Sequence, residues 1–267
     1  MLRASFKLFC FLSLIAIFIV PLAICNLFSP HGQMGLRLLK KFYFILSRAW
    51  QMKVEVQGSL SAERPLLVVS NHCSYLDVAV LGQLAPVRFT PKHDVRGWPV
   101  IGFLSRMSCC VFINRRREKT SENRKHLLAA LQQGSVISLF PEGTTNDGFV
   151  SQPFKSSFFS LAEEVIEGKS LAVQPVTVSY FRKDGAPLNR SEMDKVAWYG
   201  DAEFVPHLWE FFYTDGVLVK VQFHPSLSIV ACDGDRKLLA KTCEEIISGD
   251  FVKKERLVAE ALPNNGG

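Results

Sequence analysis

The stretch Leu66-Leu-Val-Val-Ser-Asn-His-Cys-Ser-Tyr-Leu-Asp-Val-Ala-Val-Leu81 decides how the chain is read. Leu66 to Val69 is short and wholly apolar, as a strand buried on both faces requires. From Val78 the apolar residues read as a helix start. His72 therefore falls at a strand-to-helix turn, where side chains reach solvent and substrate. Asp77 falls in the first helical turn. A carboxylate beside an imidazole can fix its tautomer and stabilise the imidazolium formed when the ring takes a proton. A second reading fits the same residues. Ser74-x-x-Asp77 is also a helix capping box, which would leave Asp77 serving backbone N–H groups and His72 as a surface turn residue.

Outward from this stretch the pattern repeats. Cys110–Ile113, Val136–Phe140 and Leu171–Tyr180 are further apolar runs, while Lys53–Gln57 and Val217–Phe223 alternate as strands do. Helical patterns fall between them at Glu122–Gln133, Lys155–Gly168 and Arg236–Ser248. Such alternation argues for an α/β fold, a mostly parallel central sheet covered by helices. Pro175 cannot donate to a ladder, so a bulge or an edge is expected there. The division is a membrane-anchoring helical segment over residues 1–50, one domain over 51–262 and a loose tail over 263–267.

Residues Leu8 to Cys25 carry no charge, and eighteen helical residues span roughly 27 Å, close to the hydrocarbon thickness of a bilayer. A cleaved signal peptide would need small residues near Cys25, which Asn26 and Leu27 do not supply. A retained membrane helix fits best, with Pro21 as a possible kink. The next stretch, Met34 to Trp50, interleaves Arg37, Lys40, Lys41 and Arg48 with large apolar residues, as a helix lying in the headgroup region does. The net charge of +6 suits an anionic partner. Seven cysteines with no CxxC pair read as free thiols in a reducing compartment.

Two further blocks carry chemistry. Phe140-Pro-Glu-Gly-Thr-Thr-Asn-Asp-Gly148 leaves an apolar run through a tight turn, with Glu142 and Thr144 at its exposed end. Val111-Phe-Ile-Asn-Arg-Arg-Arg117 puts three arginines after a buried run, suited to holding phosphate or carboxylate, though a solvated basic loop is the commoner fate of such runs. The arginines lie in one short run rather than across an aromatic-studded face, which argues against nucleic acid as partner.

Together these blocks resemble the glycerolipid acyltransferase family, which contains the lysophosphatidic acid acyltransferases. His72 and Asp77 match its His-x-x-x-x-Asp motif. Phe112, Ile113 and Arg115 match its second motif, with Asn114 where the family usually has Asp. Phe140, Pro141, Glu142, Gly143 and Thr144 match its third, and Val173 with Pro175-Val176 resembles its fourth. Lys92, followed by Trp98-Pro99 and Gly102, matches the segment between the first two. Many phosphatidate-forming members have Arg at the position of Thr145. Trp198-Tyr-Gly-Asp201 with Pro206-His-Leu-Trp209 resembles a branch that includes lyso-ornithine lipid acyltransferases.

The resemblance implies an enzyme that moves an acyl group from acyl-CoA or acyl-carrier protein to the free hydroxyl of an acidic lysolipid. The first expectation for that acceptor is 1-acyl-sn-glycerol-3-phosphate, and the alternative is a lyso-ornithine lipid. His72 would be the base and Asp77 its orienting partner. Lys92 and Arg115 would hold the headgroup, and Glu142, Gly143 and Thr144 would position the acceptor. No metal or resident cofactor is expected. The site would lie on the cytoplasmic membrane, facing the cytosol, where the donor thioesters are. A hydrolase using Cys73 and a non-catalytic membrane-binding protein are the remote alternatives.

Overall fold

The computed structural model describes the chain apart from residues 29–31, 92–94, 96, 98–101, 103–104, 106–109, 113–119 and 262–267, and apart from the side chains of 120–123 and 253–261. In chain order it forms helices α1 (Leu2–Phe28) and α2 (Gln33–Ala49), strands β1 (Met52–Gln57) and β2 (Leu66–Ser70), helix α3 (Leu76–Leu84) and strand β3 (Val87–Phe89). Helix α4 (Thr120–Gln132), strand β4 (Val136–Leu139), the small hairpin β5 (Val165–Ile166) and β6 (Lys169–Ser170), and the long strand β7 (Ala172–Arg182) follow. The chain ends with helix α5 (Phe204–Tyr213), strands β8 (Val217–Phe223) and β9 (Leu227–Ser228), and helix α6 (Arg236–Ala261).

The sheet runs β1-β8-β7-β2-β4-β3, with β9 beside β7. Strand β2 pairs in parallel with both β4 and β7, and β3 pairs in parallel with β4; β8 is antiparallel to β7. The expected mostly parallel α/β sheet is present. Alternation along β2 divides the core. Leu66 and Val68 face a layer built from α1, α2, α3 and α5, whereas Leu67 and Val69 face α4, the segment 156–163 and α6.

Several local expectations change. The segment after Lys155 is a 3-10 helix over Ser156–Glu163 followed by the β5–β6 hairpin, because Gly168, at φ +76°, turns the chain instead of ending an α-helix. Cys110 to Phe112 is not a strand; Val111 N donates to Phe89 O at 3.0 Å, and the strand here is β3. Pro175 sits inside β7 at an irregularity of the kind expected. It pairs with Val69 on one side, and on the other it falls between the rungs to β9 and those to β8, where three residues, His224 to Ser226, stand opposite two, Gln174 and Pro175. None of the six described cysteines takes part in a disulfide among the described residues.

Helix α1 is longer than its uncharged stretch, at 27 residues, and is long and apolar enough to cross a membrane. One side, through Ala4, Phe11 and Leu14, packs into the domain core, while Phe9, Leu12, Ile17 and Val20 are exposed. Two polar contacts fix its start. Lys7 Nζ donates to Thr214 O at 2.8 Å and lies over the Phe211 ring, and Arg3 pairs with Asp215. Helix α2 buries Leu36, Leu39, Phe42 and Leu46 and leaves Arg37, Lys40, Lys41 and Arg48 outside. It meets α3 closely, since a Cβ at Gly82 would come within 2.4 Å of the Tyr43 ring. Gly82→Val should therefore part the two helices and lower the unfolding free energy by about 1–3 kcal/mol. Urea denaturation in detergent checks this, and an unchanged midpoint would show that the contact costs nothing to lose.

Candidate active site

Because β2 and β4 run parallel in register, Val69 opposite Leu139, the turns that follow them leave the sheet side by side. His72 stands on the first turn, and its ring stacks on Phe140 at the root of the second, with centroids 3.8 Å apart and planes nearly parallel. His72 Nδ1 lies 2.8 Å from Asp77 Oδ2. The other ring nitrogen, Nε2, is left for the cavity that His72 lines.

Asp77 settles the two readings of its role by filling both. The same Oδ2 accepts backbone N–H groups from Cys73 (2.9 Å) and Ser74 (3.0 Å), as a cap does. Its other oxygen accepts the Tyr180 hydroxyl at 2.7 Å. Tyr180 is fully buried, and that burial, reinforced by the Asp77 charge, pushes its phenol well above the ordinary range, so it stays a donor. Tyr180 lies 103 positions from Asp77, and nothing in the sequence marked it.

The third motif behaves differently from expectation at one residue. Glu142 is 2 % exposed and does not line the cavity. It lies beneath the catalytic turn, accepting from His72 N at 3.3 Å, from Ser151 Oγ at 3.2 Å and from Asn146 Nδ2. In this position it holds the turn, because the chain leaving β4 points this side chain inward. Gly143 and Thr144 do line the cavity, as does Thr145. Gly143 has φ +79°, and a Cβ there would stand 2.8 Å from Lys155 Nζ. Lys155 N donates to Pro141 O at 3.0 Å, and its ammonium lies near Gly143, a cation the sequence reading missed. Lys92 and Arg115 lie outside the described residues. Cys73 is 1 % exposed with its thiol turned away from the cavity, which removes the ground for a thiol nucleophile.

The cavity holds about 720 Å³. Its remaining wall is the segment Trp198–Phe204. A second, mostly apolar cavity of about 210 Å³ adjoins it and shares Val78, Phe89, Pro91, Val95 and Phe204. This second space runs between α1, α2 and α3, lined by residues such as Phe11, Phe18, Leu39 and Phe42. An imidazole fixed by a carboxylate, a cavity of mixed polar and apolar lining beside it and an apolar extension make an arrangement able to deprotonate a hydroxyl on an amphiphile.

Comparison with known proteins agrees with that chemistry. A family model described as Acyltransferase matches residues 51–179. A protein of Brucella abortus named lyso-ornithine lipid O-acyltransferase is 37 % identical over 212 residues, 78 % of this chain and 79 % of its own. The chain belongs to the acyltransferase family. A relative from Neisseria gonorrhoeae, named 1-acyl-sn-glycerol-3-phosphate acyltransferase, is 30 % identical over 194 residues, 71 % of each chain. The fold of the acyltransferase is also that of the crystal structure of the 1-acyl-sn-glycerophosphate acyltransferase from Thermotoga maritima, with TM-score 0.68, 18 % identity and 95 % of each chain covered. The chain is thus an O-acyltransferase with a lipid substrate.

Burial raises the Glu142 carboxyl from 4.5 to about 7, against the donors from Asn146, Gln152, His72 and Ser151 that favour its charge. A raised acid binds its proton more tightly when folded. Its stabilising contribution is therefore complete below the ordinary 4.5 and is lost as the pH rises through about 7. Relative to Glu142→Gln, wild-type stability should fall across that window by up to roughly 1.4 kcal/mol per pH unit. Urea denaturation of both proteins over a pH series checks this, and parallel curves would place the carboxyl in its ordinary range.

Proposed function

We propose that this acyltransferase moves a fatty acyl group from a thioester, acyl-CoA or acyl-carrier protein, to the free hydroxyl of a lysolipid at a membrane surface, with His72 as general base. The observation that carries the reading is the His72–Asp77 pair, which opens on a cavity of mixed polar and apolar lining that shares residues with an apolar one. As the acceptor oxygen attacks the thioester carbonyl, His72 Nε2 takes its proton. The tetrahedral intermediate then collapses, the carbon–sulfur bond breaks, and the proton passes to the departing thiolate. General base help of this kind gives about 10²–10⁴-fold. Asp77 holds the tautomer and stabilises the imidazolium. Lys155 offers a positive charge to an anionic group on the acceptor, with Lys92 and Arg115 as further candidates from the motifs.

Two acceptors are supported by different observations. A lyso-ornithine lipid is favoured by the name of the Brucella abortus relative and by Thr145, which brings no charge to a phosphate. 1-Acyl-sn-glycerol-3-phosphate is favoured by the name of the Neisseria gonorrhoeae relative. Of the two, the higher identity goes with the lyso-ornithine name, and that is the reading adopted. The exposed apolar face of α1 and the outward cations of α2 support attachment to an anionic bilayer, and cytosolic donors support a cytosol-facing site.

The test is to supply purified enzyme with a labelled acyl thioester and a panel of lysolipids, and to identify the product. His72→Ala should lower kcat by about 10²–10⁴-fold without changing the circular dichroism spectrum. Near-normal turnover in that variant would remove His72 from the mechanism. Tyr180→Phe, which takes one donor from Asp77, should lower kcat by roughly ten-fold with KM little altered. A change in KM alone would assign Tyr180 to binding. Leu12→Lys with Val20→Lys, both on the exposed face of α1, should weaken flotation with anionic vesicles. Undiminished flotation would place the membrane contact elsewhere.

A further inference from the structure

One wall of the catalytic cavity is formed by Phe140 and the turn at Gly143; another is the segment from Trp198 to Phe204. That segment lies beyond the residues 51–179 that the family model matches. It is fastened to the catalytic turn itself. Trp198 N donates to Cys73 O at 2.7 Å, and the Trp198 indole closes on Ala202 O at 2.7 Å. The Tyr75 ring packs on Trp198 and Phe204, with centroids 5.9 and 5.0 Å away.

The segment carries Asp201 and Glu203 into the cavity lining, and both are exposed. Neither side chain has an ion pair or hydrogen bond with any described residue, and Glu203 at the start of α5 makes no side-chain cap. Acidic neighbours on the same surface are matched: Asp147 and Asp194 lie 2.8 and 3.7 Å from the Arg190 guanidinium. Among the described residues, no lysine or arginine lines the cavity. Two carboxylates with no partner among the described residues, on a segment fastened beside His72, attract a cation on the substrate and repel a dianionic phosphate. The Lys155 ammonium lies near Gly143, which lines the same cavity.

We propose that Asp201 and Glu203 are specificity-determining residues that receive an ammonium group on the acceptor headgroup, so that the chamber selects amino-bearing lysolipids over phosphate monoesters. The inference rests on the lyso-ornithine reading above and names the residues that would enforce it. It is tested with the full-length enzyme and three acceptors: an N-(3-hydroxyacyl)ornithine, the same compound with its side-chain amine acetylated, and lysophosphatidic acid. Capping the amine should lower kcat/KM of the wild type about ten- to a hundred-fold, the worth of charge-assisted hydrogen bonds. In the Asp201→Asn, Glu203→Gln double variant that ratio should shrink to within about three-fold, and turnover of lysophosphatidic acid should rise. A structural role would slow both ornithine acceptors alike and leave the ratio unchanged. An unchanged ratio, or a wild type indifferent to capping, overturns the inference while the acceptor reading stands. A wild type that acylates lysophosphatidic acid and neither ornithine compound overturns both.

Discussion

A carboxylate with no exposed surface governs the arrangement around it. Asp77 is 0 % exposed, and an isolated charge in such a place costs several kcal/mol unless donors surround it. Its donors come from two parts of the chain: the turn after β2 and the far end of β7. The turn must curl back so that Cys73 and Ser74 point their N–H groups inward. Strand β7 must overshoot β2, whose last residue pairs with Val176, by the four residues that bring Tyr180 level with Asp77. Strand β8 covers that overshoot from Val176 to Arg182. Once these demands are met, His72 has little choice of orientation. The catalytic geometry follows from satisfying a buried charge.

The turn itself is held from several directions. Asn71 makes a bridge to β7, accepting from Val178 N and donating to Val178 O, both at 2.9 Å. Asn146 N donates to His72 O at 3.1 Å, Glu142 meets His72 N, and Trp198 takes Cys73 O. The bonds from Asn146, Glu142 and Trp198 serve backbone groups of His72 and Cys73, which belong to no regular element. Such groups would be unsatisfied in a buried loop without partners of this kind. The site is therefore pre-organised by backbone accounting, with groups from two other segments doing what a ladder does elsewhere.

Much of this was legible in the sequence, and for a physical reason. Apolar runs of four residues followed by His-x-x-x-x-Asp or Pro-Glu-Gly-Thr report strand ends, because only a buried strand tolerates the first and only an exposed turn needs the second. The fold class, the His72–Asp77 pair and the cavity positions of Gly143 and Thr144 come from such local signals. Glu142 was misplaced because a strand-exit carboxylate can point either way, and only its three-dimensional donors decide. Tyr180 and Lys155 were missed, and the Trp198 segment, noted for its resemblance, was not placed at the site, for a different reason. Each reaches the site from another part of the chain, and a lone tyrosine in an apolar strand reads as core. Pro175 signalled a break in pairing, and the change from β9 to β8 opposite it supplies one; which strands meet there is invisible to any one-strand reading.

The fastening of α1 has a consequence for how the molecule comes into being. Lys7 meets Thr214 across 207 positions, so the first helix leaves the ribosome long before the backbone oxygen that will receive its ammonium exists. At about 5–20 residues per second, that interval lasts roughly 10–40 s. During it the nascent helix has an apolar surface with no Thr214 or Asp215 to fasten it. On the membrane reading proposed above, encounter with lipid would fall in that interval, and the later arrival of Thr214 and Asp215 would clasp an element already held at a bilayer.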